Sequence, residues 1–107
     1  MEFHIFPGNP TVIAGSPLLP IAEGPFTSGR PTLVAFVSGI PTPTSDNITW
    51  YFNNGPLLSE FDLFPGRTEL SLPRIVEARF TGIYMIQVAT SRGTVTERFE
   101  VIVTSEL

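Results

Sequence analysis

The side chains that carry most nucleophilic and metal chemistry are nearly missing from this chain: His4 is the sole histidine and there is no cysteine. A nucleophile–histidine relay or a zinc site therefore lacks its parts. Glu60 and Asp62, with Asp46, come nearest to a calcium site or an acid–base pair. Yet the chain holds only two aspartates, and no calcium-loop spacing surrounds them. They read as a solvated loop. Arg92-Gly93-Thr94 lacks the acid of an integrin-type tripeptide and reads as a hairpin turn with a surface cation. One modification signal is complete: Asn47-Ile48-Thr49 is a legal acceptor for N-linked glycan, whereas Asn9-Pro10-Thr11 is barred by its proline. The reading is of no catalytic residue, no cofactor and no metal site.

The elements that position these residues are short strands. Ile48-Thr49-Trp50-Tyr51-Phe52 alternates as a half-buried strand does, and Asn54-Gly55 supplies the positive φ angles of a tight hairpin turn. Upstream, Phe3 to Phe6, Thr11 to Ala14 and Leu18 to Ala22 are apolar runs, each halted by a cluster containing Pro and Gly. Proline cannot donate to a ladder, so these runs predict an irregular sheet edge. Thr32 to Ser38, with Leu33, Ala35 and Val37 on one side, reads as the first central strand. An apolar stretch runs from Pro56 to Phe64. Thr68 to Leu72 alternates Leu70 and Leu72, and Ile75 follows Pro73. Ile83 to Thr90 is the longest unbroken candidate, and Ser91-Arg92-Gly93 turns it into Thr94 to Val103. No window carries a 3.6-residue period. Short strands with turn signals about every ten residues predict an all-β sandwich or barrel.

A length of 107 residues, 42% of them hydrophobic and 15% charged, bounds this as one globular domain. The 11 prolines and 9 glycines punctuate turns. A net charge of −4, with arginine as the only basic residue type and no cluster of it, argues against nucleic acid or anionic lipid as partner. No apolar run approaches the roughly 18 residues of a membrane span, so no direct membrane insertion is expected. Met1-Glu2-Phe3 and Glu106-Leu107 read either as native or as residues that cloning sites encode. The expectation is a single domain over 1–107 with its core at about 18–104.

Gly39-Ile40-Pro41-Thr42-Pro43 precedes Trp50-Tyr51-Phe52-Asn53-Asn54-Gly55; Leu70-Ser71-Leu72 with Ile75 and then Gly82-Ile83-Tyr84 follow. Together they resemble an immunoglobulin domain of the intermediate set, as in animal adhesion molecules and receptor ectodomains, receptor tyrosine kinases among them. The resemblance covers roughly residues 18–104 and implies an immunoglobulin-like β-sandwich of two antiparallel sheets with Greek-key connections. It implies that Trp50 is the core tryptophan of strand C and that the Tyr84 hydroxyl, on strand F, closes a corner onto nearby backbone. The paired cysteines would stand at Ala35 and Ile86, and neither is cysteine. The usual acid two positions before Gly82 is replaced by Phe80, so Arg67, its implied partner, is expected to face solvent. The missing bridge would have closed a loop of about 50 residues, worth about 4 kcal/mol in the chain-entropy model. Burying an isoleucine returns about 1.5 to 3 kcal/mol, so Ala35 and Ile86 are expected to touch Trp50 and fill that space with hydrocarbon. Without cysteine the sandwich has no need of an oxidising compartment.

The resemblance implies a non-enzymatic extracellular module of a cell-surface adhesion molecule or receptor, anchored to the membrane through its parent chain. Its partner would be a protein, either another immunoglobulin-like domain or a cell-surface ligand, with a weak homodimer among the options. The alternative is a structural domain of a large intracellular filament-associated protein. A carbohydrate-active accessory module has no specific support. Asn47, with its side chain expected toward solvent at the strand's start, tips the reading outward as a glycoprotein. Strand parity places Tyr51, Ile83, Met85, Gln87, Arg98 and Glu100 on the outer face of the sheet of strands C, F and G. Of these, Tyr51, Ile83, Met85 and Arg98 form the expected interface.

Overall fold

The computed structural model describes residues 9–27 and 29–104. His4, the Phe3 to Phe6 run, Met1-Glu2-Phe3 and Glu106-Leu107 lie outside them. Ten strands form: β1 (Thr11–Ala14), β2 (Leu18–Ala22), β3 (Gly24–Pro25), β4 (Thr32–Ser38), β5 (Ile48–Phe52), β6 (Asp62–Leu63), β7 (Glu69–Ser71), β8 (Ile75–Val76), β9 (Gly82–Thr90) and β10 (Gly93–Thr104). Short 3-10 turns at Ser45–Asn47 and Ala78–Phe80 are the only helical pieces among the described residues.

Two four-stranded sheets, ordered β1-β4-β7-β6 and β2-β10-β9-β5, make the sandwich, and β3 with β8 forms a small third ladder. All ladders are antiparallel except β10 with β2, which is parallel. The proline-punctuated start of the chain serves both sheets: β1 lies at the edge beside β4, and after Gly15-Ser16-Pro17 the chain crosses to put β2 at the edge beside β10. The paired sandwich thus begins at Thr11, upstream of the expected residue 18.

The core is what alternation in the strands dictates. Leu33 and Ala35 of β4, Leu70 of β7, Trp50 of β5, Tyr84, Ile86 and Val88 of β9, and Phe99 and Val101 of β10 are all buried in one cluster. Ala35 and Ile86 stand on opposite sheets in that cluster, and Ile86 is the ladder partner of Trp50. The Trp50 indole stacks on Phe99 with ring centroids 5.5 Å apart.

The turn after β5 is one residue earlier than expected. Positive φ falls on Asn53 (50°) and Asn54 (65°), with Gly55 outside it. The N–H of Phe52 donates to Gly55 O, and the Gly55 N–H donates back to Phe52 O, each at 2.9 Å. Asparagine tolerates the left-handed region because its short amide can bond locally. The next residue, Pro56, has no N–H to donate to a ladder, and β5 is the edge of its sheet.

Candidate functional site

Pairing register sets out the outer face of the β2-β10-β9-β5 sheet row by row. Tyr51 of β5 stands opposite Met85 of β9, and Met85 opposite Arg98 of β10. In the adjacent outer row Ile83 faces Glu100, which faces Leu18 of β2. Thr49, Gln87 and Thr96 form a polar row beyond. Tyr51, Met85 and Gln87 are half-buried, whereas Ile83, Arg98 and Glu100 are exposed. All of the expected interface residues therefore lie on one face. The structure adds Leu18, 54% exposed, and Ile102, which sequence reading left aside because their strand pairing was unknown.

The opposite face carries Ile13 directly across from Phe36, at 62% and 61% exposure. These two are flanked by the polar Thr11–Ser38 pair on one side and by Val34 and Glu69 on the other. The first face spreads its apolar side chains over four strands, where the opposite face gathers them on β1 and β4, and it carries both signs of charge.

The described residues contain no cluster of acids or histidine able to hold a metal ion. Glu60 and Asp62 each pair with an arginine. Asp62 bonds Arg30, whose Nε also donates to the Leu72 carbonyl at 2.6 Å. Glu60 bonds Arg79, which reaches Glu77 at 2.7 Å as well. The hydrogen bond from Arg79 holds the Glu60 carboxyl below the usual range. Arg79 also lies over the Phe80 ring, 4.4 Å from its centre.

Phe80 fills the place where the resemblance implies an acid. Its buried ring packs edge-on against Phe61, which meets Phe52 and Tyr84 in turn. The Tyr84 hydroxyl donates to the Phe80 carbonyl at 2.6 Å, so the implied corner is present. Burial pushes the Tyr84 phenol pKa up.

Arg67 differs from expectation: it does not simply face solvent. Its Nε donates to the Ile48 carbonyl at 3.0 Å, and its own carbonyl accepts from Trp50 Nε1 at 2.7 Å. With the acid replaced by Phe80, the guanidinium has turned to the backbone at the edge of β5.

Asn47 also departs from expectation. Its side chain is half-buried: Oδ1 accepts from the Thr44 N–H at 2.8 Å and Nδ2 donates to the Ala89 carbonyl at 3.0 Å. The residue ties the turn before β5 to β9: its Oδ1 satisfies the free N–H of Thr44, and its Nδ2 reaches across to the Ala89 carbonyl. Arg92 sits in the β9–β10 turn, where its N–H bonds Thr90 Oγ1 at 3.0 Å.

No family model and no curated protein sequence matches this chain. Solved structures do. The tandem Ig repeats of Dlar superpose with a TM-score of 0.73 at 20% identity, over 96% of this chain and 50% of theirs. The titin domains Z1Z2 in complex with telethonin superpose at 0.69 and 22% identity, over 95% and 51%. The titin M10–obscurin-like 1 Ig complex superposes at 0.70 and 16%, over 94% and 98%. The chain thus spans half the length of the Dlar and Z1Z2 tandems it matches. At these identities the likeness establishes architecture: the chain has the immunoglobulin-like fold, in a form without the intersheet disulfide.

Proposed function

We propose that this domain is a non-enzymatic protein-recognition module of a cell-surface adhesion molecule or receptor, placed outside the cell. It meets its partner through the outer face of the β2-β10-β9-β5 sheet. The observation that carries this reading is the row Tyr51–Met85–Arg98, continuous across three strands, with Ile83, Leu18 and Ile102 beside it. An aromatic, a methionine and an arginine are the residue types enriched at interface centres. Structural neighbours in complexes, titin with telethonin and titin M10 with obscurin-like 1, support protein contact as the role. The partner is another immunoglobulin-like domain or a cell-surface ligand, and a second copy in a weak homodimer is the simplest case. Changing Tyr51→Ser with Met85→Ser should leave folding intact and abolish association in sedimentation of the domain, or in partner binding by the full ectodomain. Association that survives both changes would refute it.

The second reading, a structural domain of an intracellular filament-associated protein, draws on the geometry of Asn47 and on likeness to titin. An amide nitrogen held by Ala89 explains Asn47 without a sugar. A glycan would replace one amide hydrogen and leave the other for Ala89. Expression through a secretory host separates the readings. A mass increase removed by glycosidase, and lost in Asn47→Asp, supports the outward one; an unmodified secreted protein supports the inward one.

A further inference from the structure

A groove runs between the start of β5 and the turn joining β6 to β7, away from the outer-face row. It is lined by Ser45, Asp46, Thr49, Phe64, Pro65 and Arg67. Three features make it more than a dent. Phe64 leaves 43% of its surface in the open beside Pro65, an apolar shelf at a polar cleft. Arg67 holds a left-handed backbone, φ 64°, a region that disfavours any residue but glycine. The turn itself is closed by backbone groups, Arg67 N–H to Phe64 O at 2.7 Å and the Arg67 carbonyl to Trp50, and glycine would serve both bonds more cheaply. What glycine could not supply is the guanidinium. Its Nε is fixed on Ile48 O, and its terminal Nη1 and Nη2 groups have no protein partner among the described residues. A pre-oriented guanidinium fork is matched by a carboxylate.

The geometry points to a second recognition site: this groove takes one aspartate or glutamate side chain from an extended segment of a partner protein. The carboxylate pairs with the free edge of Arg67, the Ser45 and Thr49 hydroxyls serve neighbouring polar groups, and an apolar neighbour rests on Phe64. Asp46 on the same rim makes no ion pair with Arg67 and repels further negative charge. A single acid is therefore favoured over a phosphate-rich polyanion. The proposal goes beyond the outer-face reading and stands if that face proves inert, since the groove shares only Thr49 with that face and none of its interface residues.

The test uses the isotopically labelled domain titrated with pools of capped pentapeptides, the central residue fixed as Asp, Glu, Asn or Gln and its neighbours randomised. Acidic pools should move the Arg67 Nε–H signal and the amides of residues 45–49 and 63–67, saturably. Neutral pools should bind about tenfold more weakly, the scale of losing one charged hydrogen bond. Arg67→Gln should erase the preference for acid, and Phe64→Ser, on an exposed side chain, should weaken all pools while the rest of the spectrum is unchanged. Equal shifts from acidic and neutral pools, no shift with either, or stronger response to inorganic phosphate than to the acidic pools would overturn the proposal. If Arg67→Gln unfolds, a Phe64→Ser domain that binds the acidic pools unchanged would still overturn it.

Discussion

The two ends of the β2-β10-β9-β5 sheet's edge strand are closed by different chemistry. At the start of β5 the ties are hydrogen bonds to backbone: Trp50 Nε1 to Arg67 O, Arg67 Nε to Ile48 O, and the Asn47 amide to Ala89 O. At its end the closure is aromatic. Phe52, Phe61, Phe80 and Tyr84 interlock, with one hydrogen bond, Tyr84 to Phe80 O, inside the cluster. Hydrogen bonds contribute about 0.5 to 1.5 kcal/mol each, whereas losing a buried phenylalanine costs about 3 to 5 kcal/mol. The aromatic end therefore dominates stability, while the polar end fixes the geometry of the edge and leaves donors over for a ligand.

Breaking the aromatic end should have the largest effect. Phe80→Ala should destabilise by about 3 to 5 kcal/mol, measured by urea unfolding. Phe80→Asp, which restores the acid implied by the resemblance, should cost at least as much, because Arg67 is committed to Ile48 and Arg79, the cation over the ring, is already paired with Glu60 and Glu77. A wild-type midpoint in Phe80→Asp would show that Arg67 or Arg79 leaves its present partners to pair with it.

Gly82 comes next. A Cβ at this position would lie 2.3 Å from Asn53 Oδ1, the acceptor of the Ile83 N–H. Gly82→Ala should expel that amide and cost about 1 to 3 kcal/mol, the range for a broken, desolvated hydrogen bond. An Asn53→Ala, Gly82→Ala pair should lose less than the sum of the two singles, which unfolding of all three variants would check.

Tyr84→Phe should lose about 1 to 3 kcal/mol by orphaning the buried Phe80 carbonyl. The same residue sets a pH dependence. Burial raises the folded phenol pKa above its unfolded value, so the folded state holds that proton more tightly. The contribution is complete below about pH 10, the ordinary phenol value, and declines as pH rises past it. Urea midpoints across the alkaline range should fall for wild type and fall less for Tyr84→Phe.

The polar end should give the smallest change. Arg67→Ala should cost about 1 kcal/mol for the lost Ile48 bond. Arg67→Gly should recover roughly 1 kcal/mol of that through its free access to positive φ. A glycine variant less stable than the alanine one would mean that the positive φ at this position costs the alanine less than the added freedom of glycine in the unfolded chain.

How much of this was legible in the sequence differs between the two ends. The alternation in Thr32–Ser38, Ile48–Phe52 and Gly82–Thr90 was enough to place the buried faces, because side-chain parity is local. The Tyr84 corner followed from a motif whose partner lies four residues away along the chain. The surroundings of the Arg67 and Asn47 side chains were misjudged because each has a long-range partner, Ile48 and Ala89, in another strand. Phe61 and the apolar outer-face neighbours Leu18 and Ile102 were overlooked for the same reason, since their company is decided by packing and register. The turn after β5 was misplaced by a residue because Asn and Gly compete for the same backbone region.

The central claim is that one outer face of the sandwich, and not the other, meets a protein. Dilution of the labelled domain from millimolar to micromolar concentration, followed by amide chemical shifts, tests it most directly for the homodimer. The account predicts concentration-dependent shifts at Tyr51, Ile83, Met85 and Arg98 with constant shifts at Ile13, Val34 and Phe36, and no such dependence in the Tyr51→Ser, Met85→Ser variant. Shifts confined to the Ile13–Phe36 face, or retained in that variant, would contradict it.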